Sequence, residues 1–369
     1  MIIEVKNKAE LLKFIRFPIA LYKNDKLYSP QLTYDLKTYF SNKNPFYSFS
    51  TVKLFMFLRE TECVGRIALI INNRHLEFHK DSTGFFGFFE CVDDLSVCAA
   101  LLDRVREELK AAGLNNMRGP MNFSTNEECG FLINNFDAPP MIMTPYNKPY
   151  YPSFMESYGM IKSKDLYAYI VDVPDTFPDK VDRVANIALK RNNITVRNVS
   201  IKALKQELML FKDIYNESWK DNWGFIALID EELEALAAQL KPVIVPELML
   251  IAENNGEPVG FLGLLPDFNY VLRKMRGSLN PITILKALYY SRKIKDIRLL
   301  LFGIKPQFRT KGVDALLIRE IFKRTWKAGY KRSEFSWILE DNTPIQMIIK
   351  MVGGRLYKTY RIYEKKITG

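Results

Sequence analysis

Residues 297–317 read IRLLLFGIKPQFRTKGVDALL. The first eight, 297–304, are mostly branched and apolar, and they read as a buried strand. A short basic loop with one glycine follows, carrying Arg309, Lys311 and Gly312. A helix then begins at about Val313, with Val313, Leu316, Leu317, Ile321 and Ala328 on one face. Backbone N–H groups at a helix start, together with the positive end of its dipole, form an anion site, and Arg309 and Lys311 add full charges. A pyrophosphate is the natural guest. The competing reading is an ordinary strand-to-helix turn with solvated basic residues.

Upstream, residues 248–253 and 259–265 flank Asn255-Gly256, a dipeptide that takes the positive φ angles of a tight hairpin. Downstream come a strand at 333–338, a helix over 342–351 and an aromatic strand at 356–365. The first half follows the same order. Residues 52–59 and 64–71 form a hairpin about the polar turn 60–62, and 84–90 (GFFGFFE) is a third strand. Asp93 or Asp94 then caps a helix whose apolar face is Leu95, Cys98, Leu102, Val105 and Leu109, ending at Gly113. The expectation is a tandem duplication of one α/β unit, residues 1–175 and 176–369, joined in the Pro-containing segment 173–178. Residues 266–296 form a long insertion in the second unit, and inserts of that length are usually functional or disordered.

With 369 residues the chain has room for about two domains of roughly 150 residues. Hydrophobic residues make up 48% and charged residues 26%, which excludes a disordered or fibrous chain. Lys plus Arg number 53 against 42 acids, a surplus that favours anionic ligands without choosing among cofactors, lipid surfaces and nucleic acid. Nucleic acid is disfavoured because the basic residues interleave with acids and form no stripe. Four scattered cysteines and two histidines, His75 and His79 in a polar connection, make neither a disulfide framework nor a metal cluster, so no metal is expected. The N-terminus lacks a secretory apolar core, and no uncharged run approaches the roughly 18 residues a bilayer crossing needs. A cytoplasmic protein, with peripheral contact at the inner membrane open to it, is the expectation.

A strand, then Arg309-x-x-Gly312, then an apolar helix resembles the coenzyme A loop of the GNAT acyltransferase superfamily, whose signature runs Gln/Arg-x-x-Gly-x-Gly/Ala. Asn342, followed eleven residues later by Gly353, resembles that superfamily's next helix, and residues 247–366 fit its plan in order. The resemblance implies an α/β (α+β) fold of two fused units, each a mixed, largely antiparallel sheet flanked by helices. It implies acyl-CoA as co-substrate, or acyl carrier protein through the same phosphopantetheine arm, held by Ile304, Lys305, Arg309, Lys311, Gly312, Val313 and Asn342. Two residues depart from the pattern: Asp314 stands where the family prefers Gly or Ala, and Ile349 where many members keep a tyrosine that protonates the leaving thiolate. The first half resembles the same fold with an acidic loop, Glu90-Cys91-Val92-Asp93-Asp94, that would exclude phosphate. It reads as a degenerate unit that helps build the acceptor pocket.

The whole chain is similar to a group of bacterial tandem-GNAT proteins. The resemblance rests on Asn44-Pro-Phe, Val64-Gly-Arg-Ile, Arg118-Gly-Pro-Met-Asn-Phe-Ser124, Asn222-Trp-Gly-Phe225, Glu340-Asp-Asn-Thr-Pro344 and the stretch 353–365. Some relatives of that group are regarded as bacterial ceramide synthases, which implies acyl transfer to an amine, with a lipid or sphingoid base as acceptor. An aminoacyl transferase of the peptidoglycan type and a non-catalytic acyl-CoA or lipid-binding protein are the alternatives.

N-acyl transfer from a thioester needs a base for the amine and N–H donors for the developing oxyanion. Residues 303–305 lie where GNAT-like sites supply the backbone donor. Glu90 ranks first as base, because it closes an aromatic strand where burial would raise its pKa; the alternative is a carboxylate favouring the next helix. Glu340 is the second catalytic candidate: with Asp341 it follows a strand at the mouth of the second unit, and the alternative is a strand-to-helix loop with Asp341 or Asn342 as a helix cap. Asn122 and Ser124, followed by Asn126-Glu127-Glu128, make either an acceptor-binding loop or a capping box. Trp219 and Trp223, with Phe225, line a substrate pocket or belong to the core. Finally, residues 281–295 (PITILKALYYSRKIK) form a basic amphipathic helix with Ile282, Ile284, Leu285, Leu288 and Tyr289 on one side. Such a helix either lies on an anionic membrane or packs onto the domain with its cations at its C-terminal end.

Overall fold

A computed structural model describes residues 1–173 and 178–367, and in it the chain packs as two units. Unit one comprises Met1–Tyr167, Asn269–Tyr290 and Lys358–Gly369; unit two comprises Ala168–Phe268 and Ser291–Tyr357. The chain therefore divides at several points rather than at one near residue 175. Its last residues join unit one because their strand pairs there, and so do most residues of the 266–296 insertion. Residues 174–177 of the expected junction lie outside the described residues.

In chain order unit one begins with β1 (Ile2–Glu4), α1 (Lys8–Leu21), α2 (Thr33–Tyr39), β2 (Ser50–Arg59), β3 (Glu62–Asn72), α3 (Asn73–His79) and β4 (Thr83–Cys91). It continues with α4 (Leu95–Ala111), β5 (Asn116–Gly119), β6 (Phe131–Leu132), α5 (Tyr151–Ser157) and the start of β7 (Ile161–Asp172). Unit two follows with α6 (Asp179–Arg191), β8 (Ile194–Asn198), α7 (Leu204–Trp219), α8 (Asp230–Leu240), β9 (Met249–Asn254) and β10 (Glu257–Pro266). The insertion is two helices, α9 (Asn269–Met275) and α10 (Pro281–Ser291). Then come β11 (Asp296–Ile304), α11 (Val313–Lys327), β12 (Arg332–Leu339), α12 (Thr343–Met351) and β13 (Arg355–Lys366).

Both units repeat one sheet plan. In unit one the order β1-β2-β3-β4-β5 is antiparallel except for the parallel pair β4–β5, with the end of β13 antiparallel beyond β5. In unit two β8-β9-β10-β11 is antiparallel and β11–β12 is parallel. Each parallel pair is crossed by one helix, α4 or α11, that covers a sheet face. The helix α4 starts at its cap Asp94, whose side chain accepts from the Ser96 N–H at 2.8 Å. It buries Val97, Cys98, Leu101, Leu102, Val105 and Leu109 against Phe55, Ile67, Leu69, Phe86 and Met117. Leu95, expected on that face, is exposed because it is the first helical residue, before the buried stripe begins. The hairpins turn where the sequence says, at Glu60 (φ 51°) and at Asn255-Gly256 (φ 50° and 85°). His75 is not in a solvated loop. It is buried in α3, 3.3 Å from Asp81 Oδ2 and edge-on to Phe85, and burial lowers its pKa to about 4.

Candidate active site

The parallel ladder between β11 and β12 runs only from Asp296↔Arg332 to Leu299↔Phe335. Beyond it the two strands no longer pair, while β11 stays bonded to β10 on its other side as far as Ile304. The Lys305 N–H donates to Val259 O at 2.9 Å, which fixes the phase of that antiparallel ladder. By its alternation, Gly303 and Lys305 are bonded toward β10, and Phe302 and Ile304 turn their backbone groups to the open edge. Of the three residues expected to offer an oxyanion donor, only Ile304 has its amide on that edge. The edge's carbonyls are taken: Trp219 Nε1 donates to Phe302 O at 3.3 Å, and Arg309 Nε donates to Ile304 O at 3.4 Å.

The basic loop is built around this edge. Arg309 also donates Nη2 to Ser218 O at 2.6 Å, so it ties the loop to the end of α7. Lys305 Nζ pairs with Glu257 at 2.8 Å. Lys311 is exposed, its Nζ 4.2 Å from the Phe308 ring, and it is the residue of the set best placed to meet an anion in solvent. Gly312 precedes α11 in the left-handed conformation (φ 76°), and no side chain caps the helix start. A Cβ at Gly312 would lie 3.1 Å from Val184 Cγ1 and 3.2 Å from Ala188 Cβ of α6. Glycine is therefore required twice, for its conformation and for the close approach of that helix. Val313 is fully buried. An uncapped helix start beside an exposed lysine fits the diphosphate of coenzyme A, with Lys311 as its full charge.

Other expected residues have structural jobs. Asn342 caps α12, its Oδ1 accepting from the Ile345 N–H at 3.4 Å. Ile349 is fully buried in the same helix, so its position holds a core contact. Glu340 sits in the turn after β12, where its carbonyl accepts from Gln346 Nε2 at 3.0 Å. Trp223 is half-buried in the connection after α7, and Phe225 lies in a core cluster with Ile214, Tyr215, Leu228 and Phe261. Trp219 reaches the open edge through its Nε1.

Unit one has the same fork and closes it. The β4–β5 ladder ends at Phe85↔Arg118, and the chain after β5 folds back onto β4. A Cβ on Gly87 would meet Met121 O at 1.9 Å. The Phe88 N–H donates to Asn122 Oδ1 and the Cys91 N–H to the Tyr151 hydroxyl, each at 2.8 Å. Asn122 Oδ1 is thus taken by backbone, and its Nδ2 donates to Glu128 Oε2 at 3.5 Å. Ser124 is buried in a turn, accepting from the Asn126 N–H at its Oγ and from the Glu127 N–H at its carbonyl, and no helix follows. The capping-box reading fails because the polar groups satisfy one another within the turn.

Glu90, at the end of β4, is the unusual group of unit one. It is buried opposite Arg66 of β3, beside a bulge in that ladder. The hydroxyls of Tyr22, at the end of α1, and Tyr151, at the start of α5, both donate to its Oε2 at 2.8 Å. Oε1 has no hydrogen-bond partner among the described residues. Arg66 is held by Phe14, donating Nη1 to its carbonyl at 3.0 Å with the guanidinium 4.8 Å from the ring, and its buried Nε has no partner. Tyr28 stacks on Tyr22 at 4.3 Å. Burial pushes the Glu90 carboxyl up to about 7, while Arg66 and the two tyrosines pull the other way. A carboxyl half-ionised near neutrality, fixed through one oxygen and free at the other, can take up a proton.

This shift has a stability signature. Between about pH 4.5 and 7 the folded chain keeps a proton that the unfolded chain has released, so the contribution is full below the unfolded value and lost as pH rises through 7. The swing is about 3 kcal/mol. Urea unfolding of wild type and Glu90→Gln at pH 5 and pH 8 should show the variant losing less stability over that range. Parallel profiles would contradict the shift.

Sequence reading missed a second buried centre, in unit two. Arg298 and Glu334 are cross-strand neighbours one pair before the β11–β12 ladder ends, and both are fully buried. Ser336 Oγ accepts from Arg298 Nε at 2.9 Å and donates to Glu334 Oε1 at 2.6 Å. The Tyr357 hydroxyl donates to Glu334, and the guanidinium lies 4.9 Å from the Trp337 ring. The available signal was a cation, Arg298, in a strand read as mostly apolar, and an anion, Glu334, in the strand at 333–338.

No protein-family model matches the chain. It is 33% identical over 376 residues to a protein named bacterial ceramide synthase from Caulobacter vibrioides, covering 99% of this chain and 97% of that one. It is 32% identical over 368 residues to the protein YghO of Escherichia coli, covering 98% and 94%. Among solved structures, the tandem GNAT protein from the clavulanic acid biosynthesis pathway superposes with a TM-score of 0.58 at 9% identity, covering 100% of this chain and 99% of that one. A GCN5-related N-acetyltransferase from Sphaerobacter thermophilus gives 0.53 at 12%, covering 100% and 96%. At such identities the structures speak for the fold alone, and the two-unit plan agrees with it. Full-length relatives at one-third identity settle the family: the chain is a tandem GNAT-fold acyltransferase and belongs to the family of the bacterial ceramide synthase and YghO.

Proposed function

We propose that the protein is an N-acyltransferase that moves a fatty acyl group from a coenzyme A thioester to the amine of a long-chain, lipid-like acceptor. The observation that carries this reading is Glu90, a buried carboxyl poised near neutral pH with one oxygen free. An amine attacks only when neutral, and a base of this kind takes its proton as the C–N bond forms. The C–S bond breaks, the departing thiolate takes up a proton from solvent while the carboxyl releases the one it holds, and no side-chain nucleophile is needed. The thioester supplies the activated acyl group. In unit two, Lys311 and the uncapped start of α11 suit its diphosphate. Arg309 positions the loop that carries Lys311. A lipid-like acceptor is favoured by the name of the Caulobacter relative.

Comparing lipid extracts of cells that produce the wild-type chain with extracts of cells that produce Glu90→Gln tests the reading. An amide-linked lipid found only with wild type is expected. Identical extracts from both would count against N-acylation of a lipid.

A further inference from the structure

We infer that α10 docks the chain on an anionic lipid bilayer. This rests on the helix and its surroundings, not on the acyl-transfer reading. The helix is started by reciprocal bonds, the Asn280 N–H to Thr283 Oγ1 at 2.8 Å and the Thr283 N–H to Asn280 Oδ1 at 3.1 Å. Thr283 is also the only buried residue of α10. At 3.6 residues per turn, Thr283, Ala287 and Tyr290 share one side with Ser291 at its border, and these four are the residues of α10 that are not exposed. The opposite side carries Ile282, Ile284, Leu285, Leu288 and Tyr289, each between 45% and 68% exposed, with Leu279 beside them. The usual order is inverted: the small and polar side faces the protein and the apolar side faces out. Contiguous exposed apolar surface of this kind marks an interaction site.

Charge selects the occupant. From residue 268 to 295 the chain has no acidic residue. Lys274, Arg276, Lys286, Arg292, Lys293 and Lys295 are all exposed. A second copy would bring two such sets of cations together, which opposes a dimer through this face. An anionic bilayer accepts both features. The apolar side enters the boundary between headgroups and acyl chains, and the long basic side chains reach up to the phosphates. The two signals together give a bound state that neither gives alone.

The test is flotation of the full chain with phosphatidylcholine vesicles, with and without one-third phosphatidylglycerol. Wild type should float with the anionic vesicles, at least tenfold more than with neutral ones, and release as salt is added. Leu285→Ser with Leu288→Ser should bind at least tenfold more weakly with an unchanged melting temperature, since both residues are exposed. Reversing Lys286, Arg292 and Lys293 to Glu should remove the preference for anionic vesicles. Wild type that fails to float at low salt, or an apolar double variant that floats like wild type, would overturn the proposal. So would a concentration-dependent dimer that the double variant abolishes.

Discussion

Glu90→Gln should lower amide formation by on the order of 10²–10⁴-fold, the usual worth of a positioned general base. The substitution keeps the shape of the side chain and an oxygen to accept from Tyr22 and Tyr151, so the surrounding helices have no reason to move. What it removes is the proton acceptor. In wild type the pH–rate profile should rise through about 7, because burial holds the carboxyl protonated below that. In the variant this limb should vanish. Tyr151→Phe gives a second reading of the same centre. It deletes one donor to the ionised form, so the limb should move to higher pH while the rate at its plateau is largely kept. A Glu90→Gln enzyme with an unchanged profile would remove Glu90 from the chemistry.

Glu334→Leu should cost about 3–5 kcal/mol of stability, the typical price of leaving one member of a buried ion pair without the other. Arg298, 3.9 Å from Glu334 in the wild type, would keep its charge at 2% exposure with that carboxylate gone. The pair stands one step before β11 and β12 part, so it closes the sheet just where the open edge begins. Arg298→Met should cost a similar amount. The double variant should cost clearly less than the sum, because no charge is then stranded. Chemical unfolding of the four proteins checks this. Additive losses would mean that the two residues act separately.

Much of the fold is legible in the residues. Alternation and turn dipeptides place the hairpins, three-and-four spacing places α4 and α11, and the end of residues 297–304 marks the open edge. What the sequence hides is long-range. Nothing local says that Tyr22 and Tyr151, 68 and 61 residues from Glu90, supply its hydroxyl partners. Asn122 looks like a ligand group, because only folding back of the chain after β5 shows that a backbone amide takes it. Arg309 shows the same ambiguity: its charge reads as a phosphate contact, yet it bonds two carbonyls first. The amphipathic pattern of α10 is plain, but periodicity cannot say which face turns inward. Thr283 decides that, through its cap and its burial.

N-acylation from a thioester releases one thiol for each amide made. Its most direct test mixes the purified full chain with an acyl-CoA series and a long-chain amine in detergent micelles. Free thiol and amide product are followed together by absorbance and mass spectrometry. The two signals should rise in that one-to-one ratio, dependent on both substrates and on Glu90. Thiol without amide, an ester in place of the amide, or no product from a folded protein across the series would contradict it.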